Sequence, residues 1–283
     1  MHAMSAAQCV ELIVDEDRAV STAVARAAPA ITRFIEAVET GFRDGGRLIY
    51  VGAGTSGRLG VLDASEAPPT FCVEPGRIIG IIAGGDPALR KSSEGLEDDP
   101  RGAIPELEAL RLSSRDALLG IAAGGTTPYV LGALAWAHNR QGDAPITALL
   151  TCSPMPTQPG IDHRIIIETG PEVLTGSTRM KAGTATKMCL NIISTTLMVR
   201  SGRVYQNLMV DVRATNAKLR DRAARIVATL TNLSRDEALA AVDHAGGSAK
   251  TAIVMQRLRV DMTSAELRLA EAHGRLDMAL GDF

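Results

Sequence analysis

Polar and apolar residues follow a helical period in the first part of the chain. Between residues 19 and 40 the apolar side chains recur at intervals of three and four residues, which predicts helix. Pro29 falls inside this pattern, so the sequence predicts either two helices or one kinked helix. Gly45 and Gly46 end the pattern, and residues 1–45 are therefore predicted to form an N-terminal helical region.

Short, continuously apolar runs alternate with helical stretches in the next part of the chain. Five such runs are strand candidates: Arg47–Gly52, Arg77–Ala83, Ala117–Ala123, Ile146–Cys152 and Arg164–Glu168. Apolar runs separated by helices are typical of parallel strands that are covered on both faces. The predicted fold class is α/β, with a doubly wound, mostly parallel sheet, N-terminal helices and a small C-terminal helical subdomain.

Helical patterns return in the last third of the chain. One helix is predicted from about Thr178 to Arg200, and another from about Gln206 to Ala228. The domains predicted from these patterns are 1–45 (N-terminal helices), 46–228 (sheet domain) and 229–283 (C-terminal helical subdomain).

Capping signals divide the C-terminal subdomain into separate helices. The segments Ser234–Glu237 and Thr263–Glu266 both fit the capping box, in which a hydroxyl and an acidic side chain satisfy each other's backbone N–H groups. Gly246 and Gly247 are expected to separate two of the helices.

Composition and charge narrow the classes of function. The 283 residues carry 30 Lys and Arg against 32 Asp and Glu, and only one Trp, three Tyr and four Phe. Because nucleic-acid binding needs basic surface and often stacking rings, we expect no nucleic-acid partner. The four scattered cysteines predict reduced thiols and no metal site. No signal peptide or membrane-spanning run is visible, so we expect no membrane partner and a cytoplasmic location.

Three loops at the ends of predicted strands combine glycine with hydroxyl side chains. The first, Gly52–Gly57, matches the pattern G-x-G-x-x-G. A dinucleotide site would also need an acidic residue about 20 positions later, and residues 75–83 contain none. Thr55 and Ser56 instead place two hydroxyls beside free backbone N–H groups. We therefore favour a sugar-phosphate loop over a nucleotide loop or a plain tight turn.

The other two loops also combine glycine with hydroxyl side chains. Gly124–Thr127 follows the third strand, and Pro128 is a good first helical residue. Thr175–Lys181 opens the longest helix of the sheet domain, where hydroxyls, unbonded N–H groups and the charges of Arg179 and Lys181 suit an anion. The alternative for this segment is an ordinary Ser/Thr cap with surface cations.

Two acidic segments follow the first two strands. Glu66 precedes Pro68 and Pro69, which predict a defined turn. Glu97 lies in the segment Glu94–Asp99. A carboxylate of this kind, taken alone, is more often a solvated surface or cap residue than a catalytic group.

Four blocks of the sequence resemble the N-acetylmuramic acid 6-phosphate etherase family: Gly52–Thr70, Glu94–Asp99, Glu172–Lys187 and Asn207–Leu219. The resemblance runs from about Leu12 to the C-terminal helices. It implies a sugar isomerase-type (SIS) phosphosugar-binding domain. It also implies cleavage of the D-lactyl ether of N-acetylmuramic acid 6-phosphate to N-acetylglucosamine 6-phosphate and D-lactate. This carbon–oxygen lyase step of peptidoglycan salvage needs no metal or organic cofactor.

The resemblance also implies roles for residues. Glu66 would donate a proton to the leaving ether oxygen and Glu97 would act as general base at C2, so one carboxyl must be protonated while the other is ionised. The expected partner is a phosphorylated amino sugar, and the expected assembly is a homodimer because such domains usually place the active site near a subunit boundary. The expected binding residues are Gly54, Thr55, Ser56, Gly57, Gly124, Gly125, Thr126, Thr127, Glu172, Ser177, Thr178, Arg179 and Lys181.

The second loop departs from the family pattern. That loop usually reads Ala-Ser-Gly-Arg-Thr-Pro-Tyr, whereas Gly124 and Thr126 stand here at the Ser and Arg positions. Each charge-assisted hydrogen bond is worth roughly 1.5–3 kcal/mol, so the change predicts weaker phosphate contacts. It motivates a second hypothesis, a non-catalytic phosphosugar-binding regulator like the glucokinase regulatory protein of the same superfamily. The presence of both Glu66 and Glu97 favours the enzyme over the regulator, because a regulator has no use for an acid–base pair. A phosphosugar isomerase is a third hypothesis.

Overall fold

Two compact units make up the protein. The computed structural model describes residues 1–91, 94–140 and 142–282. One unit combines Met1–Glu66 with Pro75–Ser194, and the other combines Ala67–Glu74 with Thr195–Phe283. The domain bounds inferred from the sequence stay a prediction.

The first unit begins with one continuous helix, α1 (Ala6–Arg43), which is 38 residues long and contains Pro29. A capping box between Ser5 and Gln8 starts it. Its buried side chains begin at Val20 and recur with helical spacing. Pro29 lies on the exposed side, so the helix continues through it. Of the two alternatives for this region, the single helix is therefore correct.

A five-stranded parallel sheet forms the centre of the first unit. Its strands are β1 (Leu48–Gly52), β2 (Ile78–Ile82), β3 (Ala117–Ile121), β4 (Ile146–Thr151) and β5 (His163–Ile166). Their order is β2-β1-β3-β4-β5, and every neighbouring pair is parallel. All residues of β1 and β3 are buried, as expected for strands covered on both faces. The α/β class and all five predicted strands are confirmed.

The connections from β1 and from β3 run to opposite sides of the sheet. From β1 the chain passes through α2 (Gly54–Phe71) to β2 on one side. Helix α3 (Ile104–Leu110) precedes β3, from which the chain passes through α4 (Pro128–His138) to β4 on the other side. In open α/β sheets, ligands bind beyond the carboxyl ends of the strands where the order reverses in this way. That point lies here between β1 and β3.

Helices dominate the second unit. Helices α2 and α5 (Lys181–Arg200) contribute residues to both units. A small hairpin of β6 (Val204–Tyr205) and β7 (Leu208–Met209) follows. The remaining helices are α6 (Ala217–Thr231), α7 (Arg235–His244), α8 (Ala249–Leu258), α9 (Met262–Glu271) and α10 (Leu276–Leu280).

Two helix starts differ from the prediction. The helix expected from Gln206 begins only at Ala217, because Gln206 adopts a positive φ in the hairpin turn and the Asn216 side chain caps α6. The capping box at Thr263 is also wrong, since Asp261 caps α9 by accepting from the Ser264 N–H. The capping box at Ser234 is confirmed, as is the break at Gly246 and Gly247 between α7 and α8. No helix in the described part of the chain is long and apolar enough to cross a membrane.

Candidate active site

The first predicted loop is a tight passage from β1 into α2. Gly54 begins the helix with φ +52°, so the N–H groups of Thr55 and Ser56 lie in the first turn, where a helix has no carbonyl partners of its own. A Cβ on Gly57 would lie 2.6 Å from Ile82 Cγ1 and 2.8 Å from Gly52 O. The helix start therefore packs directly on the strands, and both hydroxyl residues stay partly exposed beside it.

The second loop joins β3 to α4. Pro128 is the first residue of α4, as predicted, and the Thr127 side chain accepts no capping hydrogen bond from the described residues. Gly124 and Thr126 are exposed. Gly125 has φ +72°, and a Cβ there would lie 2.6 Å from Met155 Sδ. Exposed polar groups and a helix start thus occur at this strand end as well.

The helix that follows the third loop, α5, is already capped by a side chain of the protein. The two carboxylate oxygens of Glu172 accept from the backbone N–H groups of Lys181 and Ala182 at 3.0 and 2.9 Å. The Lys181 side chain is buried and pairs with Glu16 of α1. The sequence predicts that this charge faces an anion, whereas in the structure it forms an ion pair with Glu16. Around this start of α5, Thr178 and Arg179 are exposed and Ser177 is partly exposed.

Glu97 lies beside the second loop. Its carbonyl accepts from the N–H of Tyr129 in the first turn of α4 at 3.0 Å. The next segment packs closely on the same helix, since a Cβ on Gly132 would lie 1.8 Å from Pro100 O. The backbone around Glu97 is therefore fixed relative to α4, and its side chain is partly exposed.

Glu66 lies in a charged cluster between α2 and α5. Lys187 Nζ is 3.5 Å from Glu66 Oε2, 3.4 Å from Asp63 Oδ1 and 2.7 Å from Asn191 Oδ1. The hydroxyl of the buried Tyr50 donates to Asp63 Oδ2 at 2.9 Å. Burial raises the pKa of Tyr50 well above its ordinary value, and the Asp63 charge adds to this. Tyr50 is therefore a neutral donor to Asp63.

The turn expected at Pro68 and Pro69 is absent from the described structure of this segment. Both prolines lie inside α2, close to its C-terminal end at Phe71. The helix therefore carries Glu66 one turn after Asp63, on the face that meets Lys187. The side chain of Glu66 remains 60% exposed.

The structure places the two predicted glutamates apart. Glu97 lies beside the second loop, whereas Glu66 lies beside Lys187 and Asp63 in the second half of α2. No hydrogen bond or ion pair within the described residues joins the two glutamates. Glu66 follows Gly54 by 12 residues, about 18 Å along the helix.

Sequence reasoning missed four members of the Glu66 cluster: Lys187, Asp63, Asn191 and Tyr50. The spacing of Asp63 and Glu66 on one helix was a signal, because side chains three residues apart share a face. Nothing in the sequence pattern pointed to Lys187, which arrives from another helix. Among residues 1–91, 94–140 and 142–282, no group of three or more His, Cys, Asp or Glu side chains could hold a metal ion.

The sheet order and the glycine- and hydroxyl-rich strand ends define an SIS-type α/β protein. Residues 30–138 match the family model of the glucokinase regulatory protein N-terminal SIS domain. A solved structure from Bacteroides fragilis, described as a candidate phosphosugar isomerase involved in capsule formation, has the same fold. Its TM-score is 0.50 at 20% identity, over 70% of this chain and 92% of that one.

Several N-acetylmuramic acid 6-phosphate etherases match almost the whole chain. The N-acetylmuramic acid 6-phosphate etherase of Gloeobacter violaceus is 53% identical over 271 residues, which cover 96% of this chain and 88% of that protein. N-acetylmuramic acid 6-phosphate etherase 1 of Bacillus licheniformis is 45% identical over 281 residues, covering 99% and 91%. The chain belongs to the N-acetylmuramic acid 6-phosphate etherase family.

Proposed function

We propose that this protein is a carbon–oxygen lyase that cleaves the D-lactyl ether of N-acetylmuramic acid 6-phosphate. The products are N-acetylglucosamine 6-phosphate and D-lactate. The observation that carries the proposal is the 45–53% identity to etherases over almost the entire chain. The exposed hydroxyls and helix starts at the ends of β1 and β3 support it, since they suit a phosphate monoester.

The first and second loops are proposed to hold the phosphate. Thr55, Ser56 and Thr127 offer hydroxyls next to N–H groups at the starts of α2 and α4. The helix dipoles favour a dianion at both places. Ser177, Thr178 and Arg179 add donors at the third loop. Glu172 is assigned the capping of α5 rather than direct contact with phosphate, because both of its oxygens already accept from backbone N–H groups.

The chemistry is an elimination followed by addition of water. Opening of the sugar ring places an aldehyde at C1, which makes the proton on C2 acidic enough for Glu97 to remove as general base. Glu66 gives a proton to the ether oxygen at C3 as the carbon–oxygen bond breaks, and lactate leaves. Water then adds its hydroxyl to C3 of the unsaturated aldehyde while C2 regains a proton. No net oxidation or reduction occurs.

A homodimer is proposed because of where Glu66 lies. The carboxylate is exposed, and its residue lies about 15 Å along α2 from Ser56, the nearest hydroxyl of the first loop, which is farther than the phosphate of a hexose 6-phosphate lies from its own C3. We infer that Glu66 of one copy serves the phosphate loops and Glu97 of a second copy. The proposed location is the cytoplasm, where the products re-enter amino-sugar metabolism.

The test is release of D-lactate from N-acetylmuramic acid 6-phosphate by the purified protein. Turnover by the wild type and its loss in Glu66→Gln and Glu97→Gln are expected, with Glu36→Gln, an exposed position on α1, as a matched control that retains activity. Binding of the substrate without lactate release would contradict the proposal and favour a non-catalytic regulator. Interconversion of aldose and ketose phosphates would favour an isomerase.

A further inference from the structure

Lys187 is a positive charge beside the proposed proton donor, and the mechanism above gives it no role. Its ammonium group lies 3.5 Å from Glu66 Oε2. It is partly exposed, with 28% of the side chain open to solvent. A ligand can therefore reach this side chain from the solvent.

The protein holds this ammonium group in a defined position. Asn191 Oδ1 accepts at 2.7 Å from one turn further along α5, and Asp63 Oδ1 lies at 3.4 Å. Asp63 is itself buried and is fixed by the hydroxyl of Tyr50. The three N–H bonds of Lys187 thus have three acceptors in the protein, on Asn191, Asp63 and Glu66.

The chemistry of the substrate places a carboxylate at the same point. Glu66 must reach the ether oxygen at C3, and this oxygen is bonded to the lactyl carbon that carries the carboxylate. Lys187 is therefore within reach of the lactyl carboxylate when Glu66 protonates this oxygen. When Glu66 carries the proton that it will donate, it is neutral and no longer competes as an anion for the third N–H bond.

We propose that Lys187 binds the lactyl carboxylate of the substrate and makes the site selective for an acidic ether substituent. The inference rests on the proposed function and deepens it. Asp63, Asn191 and Tyr50 are positioning residues that act through Lys187. N-acetylglucosamine 6-phosphate has no lactyl group, so its binding does not use this contact.

The test compares two substrates in two proteins. The natural acid is compared with its lactamide analogue, in which a neutral carboxamide replaces the lactyl carboxylate. In the wild type, the amide is expected to show a kcat/KM roughly 10- to 100-fold below that of the acid, the range of one charge-assisted hydrogen bond. In Lys187→Met the acid should fall to the level of the amide, and the two substrates should become equivalent.

Product inhibition separates this role from a structural one. Inhibition by N-acetylglucosamine 6-phosphate should be the same in the wild type and in Lys187→Met, whereas inhibition by D-lactate should be lost. Lys187→Arg keeps the charge and should restore the preference for the acid, which covers the case in which the Met variant is unstable. Arg33→Met removes an exposed cation from α1 and serves as the matched control.

Two results would overturn the assignment. One is an equal wild-type rate with acid and amide, and the other is a preference for the acid that persists in Lys187→Met. Wild-type turnover of the acid is measured first. If the wild type releases no D-lactate from the acid, the proposed function itself is contradicted. If only the Lys187 assignment fails, wild-type turnover of the acid remains.

Discussion

The phenolic oxygen of Tyr50 lies 2.9 Å from Asp63 Oδ2, and both side chains are buried. This pair joins strand β1 to helix α2, one turn before Glu66. In Tyr50→Phe the buried carboxylate loses its donor while the ring still fills the same space. The free energy of unfolding should fall by roughly 1–3 kcal/mol, measured by urea denaturation. Tyr205→Phe, which removes a hydroxyl from a partly exposed pair with Asp282, is the comparison and should cost less.

The second loop allows a test of phosphate binding. A Cβ on Gly124 would meet only Thr126 Oγ1, at an ordinary 3.7 Å, so a side chain fits there without strain. The double variant Gly124→Ser with Thr126→Arg moves the hydroxyl from position 126 to position 124 and adds a guanidinium. The KM for the substrate should fall by about tenfold or more, because each charge-assisted hydrogen bond is worth roughly 1.5–3 kcal/mol. An unchanged KM would show that the phosphate does not contact this loop.

Complementation between inactive variants tests the shared site. Glu66→Gln and Glu97→Gln each inactivate both sites of their own homodimer. After mixing and subunit exchange, a heterodimer has one site with both substitutions and one site with both native glutamates. D-lactate release should therefore reappear in the mixture and be absent from either variant alone. If exchange is demonstrated by mass spectrometry and no activity returns, both glutamates act from the same copy.

Acid stability should depend on Asp116 at the amino-terminal edge of the sheet. Burial tends to raise the pKa of Asp116, but hydrogen bonds from the Arg47 side chain and from the N–H groups of Ser113 and Arg47 prevail, and the pKa is lowered. A carboxyl with a lowered folded-state pKa stabilises the fold above its unfolded pKa of about 4, and this contribution is lost as the pH falls through the folded pKa.

The corresponding variant is Asp116→Asn. At pH 7 it should lose roughly 1.5–3 kcal/mol of unfolding free energy, the range for hydrogen bonds to a charged group. The difference from the wild type should shrink as the pH is lowered from 5 towards 2, followed by urea midpoints at each pH. Asp17→Asn, at an exposed position of α1, should show no such trend. A difference that stays constant with pH would contradict this account.

Most of the sheet could be predicted because its signals are local. The apolar runs of the five strands and the prolines or glycines near their ends are visible in the sequence, and burial on both faces leaves them without polar alternation. The start of α6 could not be predicted in the same way. Its apolar pattern extends back to Gln206, but the hairpin and the Asn216 cap decide the actual start.

The site was predictable where one segment carries the whole signal. The first and second loops each have glycine, hydroxyl residues and a helix start in a single run of sequence. The pairing of Lys181 with Glu16 joins positions 165 residues apart, and the contact of Lys187 with Glu66 joins positions 121 residues apart. Such contacts depend on how helices pack against one another, and no local pattern encodes them.

Gly125 limits how the second loop can change. Its positive φ and the 2.6 Å approach of Met155 to a would-be Cβ leave no room for a side chain. Its neighbours at 124 and 126 are exposed and unconstrained by packing. Mutations that alter ligand preference can therefore accumulate at the two outer positions while the backbone between them keeps its shape. The loop combines one position that packing fixes with two positions that can vary. New specificity can therefore evolve there without loss of the fold.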